Sequence, residues 1–358
     1  MISKKYMVNV NCPTFNHVNY IEYAMNGFTI QQTNFPFVCT ILDDASTDGE
    51  QEIIKRYLQE NFDLEDTIVA RTEETDNYVL NFAKHKINPN CYFAVLFLKY
   101  NHYSIKKSKD PYIMEWKDNS KYIALCEGDD FWTDPLKLQK QVDYLESHPE
   151  CTICFAATRL IDKQGKKQYG RIPKDASRLK DVLTLEDFCY EQFYVGQWAF
   201  HTSTFFYRSE LQIVCQASLK NFPYGDLPTI LMCLFHGNGY FINEPMSCYR
   251  QDSGGFNSSL KGNPSKAISI ERQLIEGMKW FDKLTGGKYH KSVERRILRC
   301  ECLIEYHEQG RNGWVFLKPQ YWPIAKMQGI KTTVLMVLQT AMPKLYRFAQ
   351  SFKHKLHK

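Results

Sequence analysis

Three carboxylates stand within four residues in Glu127-Gly128-Asp129-Asp130, and they are the residues in this chain best placed to do chemistry. Like charges so close repel one another, so the cluster is costly without a counter-ion. A hard divalent cation held through carboxylate oxygens, with phosphate and water completing its shell, would relieve that cost. The plainer reading is an acidic loop before a helix, with Asp134 as N-cap and Pro135 as first helical residue. The two readings are compatible, because Asp134 can cap while the upstream acids bind metal. Tyr122 to Cys126 is a short apolar run of the kind that forms a buried strand, and Gly128 lets the chain turn sharply just after it.

Elements that could position such a site alternate along the chain. Tyr6–Cys12 reads as a first strand that stops at a Pro13-Thr14-Phe15-Asn16 loop, and a helix is predicted over Asn19–Gln32. Phe37–Leu42 is a second strand, ending in Asp43-Asp44, with Ser46, Thr47 or Asp48 able to cap the helix that follows. Thr67–Ala70 is predicted as a third strand and Asn77–Lys86 as a helix, while residues 88–120 read as an insertion rich in Tyr, Asn and Lys. Tyr122–Cys126 and a helix over Pro135–Ser147 restore the rhythm, and Thr152–Ala157 is the next strand. Phe200–Arg208 and Ile242–Tyr249 read as further strands, with helices over 264–284 and 288–308. The expected class is α/β, a mostly parallel sheet flanked by helices. In such a sheet ligands sit beyond the carboxyl ends of the strands, where the loops at Phe15, Asp43-Asp44 and Glu127–Asp130 should converge.

These landmarks resemble the family 2 glycosyltransferases over roughly residues 5–255. The resemblance is carried by Cys12-Pro-Thr-Phe-Asn16, Ile41-Leu-Asp-Asp-Ala-Ser-Thr-Asp-Gly49, Ala124-Leu-Cys-Glu-Gly-Asp-Asp-Phe-Trp132 and Gly225-Asp-Leu-Pro228, in that order. It implies a GT-A fold, a nucleotide-sugar donor (a UDP-sugar above all) and a role in bacterial surface-polysaccharide synthesis. By the same resemblance Pro13 and Phe15 would hold the nucleotide, with the Phe15 ring on the base, and Asp44 would accept a base N–H. Asp129 and Asp130 would contact the ribose and the metal, Mn²⁺ or Mg²⁺, and Asp226 would be the general base of an inverting displacement. Glu127, Trp132 and Arg250 are further contacts to acceptor or phosphate on this reading. Family members often carry a histidine where Asp252 stands in Tyr249-Arg-Gln-Asp-Ser-Gly-Gly255. A nucleotidyltransferase would instead be expected to carry a glycine- and lysine-rich phosphate loop, and Cys12–Asn16 has neither residue. An inactive scaffold with the same fold is the other alternative.

The chain of 358 residues is 44% hydrophobic and 24% charged, ordinary for a globular protein, and its net charge of +5 is unevenly placed. No acidic residue follows Glu308, while residues 311–358 hold nine lysines or arginines, so the body is mildly acidic and the end basic. That balance excludes the footprint of a duplex-binding protein and predicts no nucleic-acid partner. Leu335, Leu338, Met342, Leu345, Ala349, Phe352 and Leu356 recur at steps of three and four, interleaved with Lys344, Arg347, Lys353, Lys355 and Lys358. The apolar run Thr332–Met342 is too short to span a bilayer, which needs about 20 residues, and a basic amphipathic segment on an anionic membrane surface fits the pattern, with Pro343 dividing it in two. The expected organisation is a catalytic domain over 1–255 (nucleotide half 1–130, acceptor half 131–255), a helical extension over 256–310 and a membrane-associating tail over 311–358. Twelve cysteines without a secretory signal read as reduced, small hydrophobes of a cytosolic protein at the inner membrane face, with a glycan or lipid-linked acceptor.

Overall fold

The computed structural model describes residues 5–251, 253, 260 and 262–344. Asp252, the glycines at 254 and 255, and Leu345 to Lys358, with the basic stripe expected there, lie outside the described residues. The described chain divides into two compact units. The first comprises residues up to Leu185, Ala199–Gln216 and Thr229–Ser253; the second comprises Glu186–Trp198, Ala217–Pro228 and the chain from Gly254 onward.

The first unit is built on one mixed sheet. Its strands are β1 (Tyr6–Thr14), β2 (Phe37–Asp43), β3 (Phe62–Asp63), β4 (Arg71–Glu74), β5 (Tyr78–His85), β6 (Cys91–Leu98) and β7 (Ser120–Leu125). They continue with β8 (Phe131–Trp132), β9 (Cys151–Ile161), β10 (Gln168–Ile172), β11 (Val182–Leu183), β12 (Phe206–Arg208) and β13 (Asn238–Arg250). The main path runs β11-β13-β9-β12-β7-β1-β2-β6-β5-β3. The four strands β7, β1, β2 and β6 are mutually parallel. Antiparallel strands extend them: β5 beside β6, and β12 beside β7. All seven residues of β2 are buried, as a strand flanked on both edges and covered on both faces requires.

The α/β architecture matches the sequence pattern, and four local expectations do not. Tyr78–His85, predicted helical, is a strand, because it forms a hairpin with Cys91–Leu98 through Asn88-Pro89-Asn90. Tyr78 opposes Leu98 and Lys84 opposes Tyr92, so a partner strand rather than helical propensity set the outcome. The expected insertion over 88–120 therefore contains a central strand, β6, and the helix Asp110–Asp118. Thr67–Ala70, predicted as a strand, is a turn ahead of β4, and the strand expected over Phe200–Arg208 is confined to β12.

Helices pack the sheet through apolar stripes. The helix Ile21–Thr29 buries Ile21, Ala24, Met25 and Phe28, an i, i+3, i+4, i+7 spacing. Gly27 on that face has the backbone of Trp132 against it, where an added Cβ would meet Trp132 N at 2.8 Å. This helix is thereby seated against the segment that follows the acidic loop.

In the second unit the helices Pro264–Leu284 and His290–Glu308 pack together. The 3₁₀ turn Gly313–Leu317 and the helices Trp322–Gln328 and Ile330–Ala341 follow. Cys302, Tyr306, Val315, Phe316, Tyr321 and Ile324 form its buried cluster. Among the described residues no helix is long and apolar enough to cross a membrane. All twelve cysteines are buried.

Candidate active site

Parallel pairing brings three loops to one edge of the sheet. Thr14 registers with Asp43 across β1 and β2, and Asn11 registers with Leu125 across β1 and β7. The loops that follow these strand ends carry Phe15, Asp44 and Glu127–Asp130.

A buried glutamate that the sequence reading missed, Glu50, ties the first two loops together. Its carboxylate accepts from Thr14 Oγ1, from the His17 backbone N–H at 2.8 Å and from Ser46 Oγ at 2.8 Å. Burial raises its pKa, against the lowering effect of those donors. Asn16, at φ 57°, reinforces the tie: its N–H donates to Ser46 Oγ, and its Oδ1 accepts from the Thr47 N–H. Phe15 is left 42% exposed at the rim, the presentation that ring stacking needs. Pro13 pairs with Leu42 inside the sheet and offers its carbonyl to the Gly128 N–H at 3.1 Å.

Asp43 and Asp44 are both buried. Asp44 accepts from the backbone N–H groups of His102 (2.7 Å) and Tyr103 (3.1 Å) and from Lys109 Nζ (3.1 Å). A carboxylate has about four acceptor positions, so these three donors leave one. Asp43 accepts from the Ser46 N–H and from Gln51 Nε2, while its Oδ1 is buried without a partner. Burial raises the Asp43 pKa. Lys107 donates to Asn77 Oδ1 and the Tyr100 hydroxyl.

The acidic loop is held more tightly than its charge alone would allow. Gly128 passes so close to β1 that an added Cβ would sit 2.1 Å from Thr14 Oγ1. Asp129 and Asp130 are 6% and 1% exposed, whereas Glu127 is exposed. Asp129 accepts from Ser253 Oγ at 2.5 Å, with His17 Nε2 3.9 Å away. Asp130 accepts from the Arg250 backbone N–H at 3.0 Å, and its other oxygen lies 3.6 Å from His201 Nδ1. Burial raises the Asp130 pKa well above the carboxylate range, and the charges of Asp129 and Glu127 add to the rise. Burial also lowers the His201 pKa to about 4, so at neutral pH its imidazole is uncharged and cannot neutralise its neighbour. His17 and His201 are site neighbours that the sequence reading did not assign. Each is a lone histidine in an ordinary-looking run, and only the fold brings them to the acids.

Two residues expected to face ligand are used otherwise. Trp132 is 1% exposed, packs edge-on against Phe28 and donates its indole N–H to the Ser203 carbonyl at 2.8 Å. It is a core residue, not a contact surface for ligand. Arg250 is 2% exposed, with its guanidinium over the rings of Tyr20 (4.6 Å), Tyr23 (5.4 Å) and Phe131 (5.5 Å). Its Nε and Nη1 donate to the carbonyls of Asp129 and Lys163, and its Nη2 is buried without a partner. The side chain thus clamps the backbone of the acidic loop without hydrogen-bonding its carboxylates, and its charge only partly offsets the rise in the Asp130 pKa.

Among the described residues no group of three or more His, Cys, Asp and Glu side chains is arranged to hold a metal ion. The chemistry of the acids nonetheless suits a hard cation of the Mg²⁺ type, which takes one or two protein carboxylates and fills its shell with phosphate and water. A buried carboxylate whose ionised form is opposed by its acidic neighbours is the donor that such an ion would stabilise.

Asp226 belongs to the second unit, at the first position of the helix Asp226–His236. Its Oδ1 accepts from the Leu227 N–H at 2.7 Å, and burial raises its pKa despite that bond. In the same unit burial raises the Tyr224 hydroxyl to about 12, with Arg296 opposing the rise.

No family model matches the sequence. Over 154 residues, 43% of this chain, it is 36% identical to uncharacterized proteins of Mycobacterium tuberculosis (strain ATCC 25618 / H37Rv) and Mycobacterium bovis. The match spans 36% of the length of those relatives. Two solved structures align at 12% identity. One is S. aureus TarS 1–349 in complex with UDP-GlcNAc, covering 86% of this chain and 93% of that one, with a TM-score of 0.46. The other is the mannosyltransferase PcManGT from Pyrobaculum calidifontis in complex with GDP-Man and Mn²⁺, covering 95% and 88%, with a TM-score of 0.47.

Proposed function

We propose that this chain is an inverting, metal-dependent glycosyltransferase of the family 2 type, with a GT-A catalytic domain over residues 1–255. It moves a sugar from a nucleotide-sugar, a UDP-sugar in the first instance, to a hydroxyl of a glycan or lipid-linked acceptor in bacterial surface-polysaccharide synthesis. The observation that carries this reading is the pair Asp129 and Asp130: buried, adjacent and, among the described residues, hydrogen-bonded to no cationic side chain.

The residues divide the work as follows. Phe15 stacks on the base, Pro13 shapes the loop beneath it, and the remaining acceptor position of Asp44 takes a base N–H. Asp129 contacts the ribose and, with Asp130, holds Mn²⁺ or Mg²⁺. When bound, that ion neutralises charge on the diphosphate leaving group. Arg250 positions the loop by gripping the Asp129 carbonyl rather than touching phosphate. Asp226 takes the proton of the acceptor hydroxyl as that oxygen forms its bond to the anomeric carbon, and its raised pKa strengthens it as a base. Beyond a helical extension over 256–310, a basic tail over 311–358 attaches the enzyme peripherally to the cytoplasmic membrane face.

Calorimetry with UDP- and GDP-sugars, with and without Mn²⁺, tests the reading. Binding that requires the cation and is lost in Asp130→Asn is the expected result. Absence of binding to every nucleotide sugar would overturn it.

A further inference from the structure

The helix Ile330–Ala341 exposes much of its apolar surface. The face packed on its own unit is polar at its two ends. Thr333 is 5% exposed, with its hydroxyl on the carbonyls of Ala325 and Gly329. Thr340 Oγ1 accepts the Gly313 N–H at 2.7 Å and bonds to the carbonyls of Met336 and Arg311. Gly313 lies directly on the helix backbone, where a Cβ would meet the Met336 carbonyl. The helix is therefore pinned through hydroxyls, backbone and the Met336 side chain, which packs on the buried cluster of its unit.

Its apolar side faces outward. Ile330, Val334, Leu338 and Met342 recur at steps of four and are 78%, 47%, 39% and 52% exposed, with Leu335 beside them at 42%. An isolated exposed aliphatic residue means little, but a continuous stripe of them on one helix face marks a contact surface. On the turn that packs against this helix, Trp314 is 49% exposed, and Trp322 nearby is 55% exposed. Lys326, Lys331 and Lys344 are also exposed, and the sequence holds no acidic residue after Glu308.

We propose that this outward stripe is the surface that enters an anionic bilayer, with the helix lying flat in the interface. The inference rests on the membrane attachment proposed above and assigns the insertion to this folded face rather than to the basic residues beyond it. Twelve residues span about 18 Å, well short of the ~30 Å hydrocarbon core, so the helix can lie in a bilayer but not cross it. Interfacial tryptophans and lysines beside an aliphatic stripe are the composition of such a surface. A second copy of the chain is the poorer occupant, because apposing two such faces would bring the exposed Lys326, Lys331 and Lys344 of each copy together, and no acid stands on the helix itself to answer them.

The test uses the full chain and sedimentation with vesicles of phosphatidylcholine alone or with phosphatidylglycerol. Wild-type protein should bind the anionic vesicles preferentially. Val334→Glu combined with Leu338→Glu should weaken that binding about tenfold or more. Both side chains are exposed, so folding should survive, and unchanged circular dichroism and nucleotide-sugar affinity would establish that it has. Equal binding by variant and wild type would overturn the assignment to this stripe while leaving membrane attachment to residues beyond 344. If neither form bound vesicles, the attachment itself would fall as well. If light scattering found a wild-type dimer and a variant monomer, the stripe would be a self-association surface and the proposal wrong.

Discussion

Two pairs of adjacent aspartates follow the parallel strands on either side of β1, and one aspartate of each pair is treated in the opposite way to one of the other. At the end of β2, Asp44 is met by two backbone N–H groups and the Lys109 ammonium, so its charge is answered within the protein. At the end of β7, Asp130 is met by one backbone N–H and by an imidazole that stays neutral above about pH 4. The guanidinium that could have served it, Arg250, donates to carbonyls instead. The contrast separates a carboxylate that staples a loop from one left short of positive charge. A carboxylate of the second kind costs stability unless a ligand supplies the missing cation.

This contrast breaks most visibly at the second pair. Asp130→Asn should lower kcat/KM roughly 10³-fold while raising the thermal midpoint of the metal-free protein. The sign follows from the raised pKa: an ionised Asp130 is disfavoured in the folded state, so its charge costs stability at any pH above the unfolded value. Loss of activity together with loss of stability would show that the carboxylate is structural. Asp226→Asn should lower turnover about 10²-fold or more with nucleotide affinity unchanged, measured by steady-state kinetics beside calorimetry.

At the first pair both readouts should fall together. Asp44→Asn puts an amide donor among three donors and should cost about 1–3 kcal/mol in urea unfolding. A stabilised variant would erase the distinction between the two pairs. The smallest effect concerns Lys137, buried with its Nζ 4.1 Å from the centre of the Trp132 ring, just beyond the acidic loop. Burial lowers its pKa to about 7, so the folded chain binds fewer protons than the unfolded one between pH 7 and the ordinary lysine value. Stability from this group therefore rises with pH across that window. The advantage of Lys137→Met over wild type should shrink by about 2 kcal/mol from pH 7 to pH 9, at about 1.4 kcal/mol per pKa unit. A constant difference would mean that the lysine is not buried in solution.

Much of the scaffold was readable where local pattern and tertiary partner agree. The strand pairs β1 and β2, the helix Pro264–Leu284 and the convergence of loops at one sheet edge follow from periodicity and the rule for parallel sheets. Tyr78–His85 was not readable, because its apolar residues suit a helix face as well as a strand and only the β6 pairing decides. The apolar run Cys91–Leu98 could have signalled that partner. The helix Ile330–Ala341 shows the converse: its apolar residues were legible, but only tertiary contacts show which of them, Met336 among them, its own unit covers.

By itself the sequence determined which groups can do chemistry, because residue type and short spacing fix the donors, acceptors and charges that a loop carries. Tertiary structure alone decided which of those groups remain unspent. Lys109 reaches Asp44 across 65 positions, and Arg250 reaches the acidic loop across 121, to be turned onto its carbonyls. Whether a charge is neutralised depends on partners that only folding brings within a few ångströms, and in a buried site that proximity sets its energy.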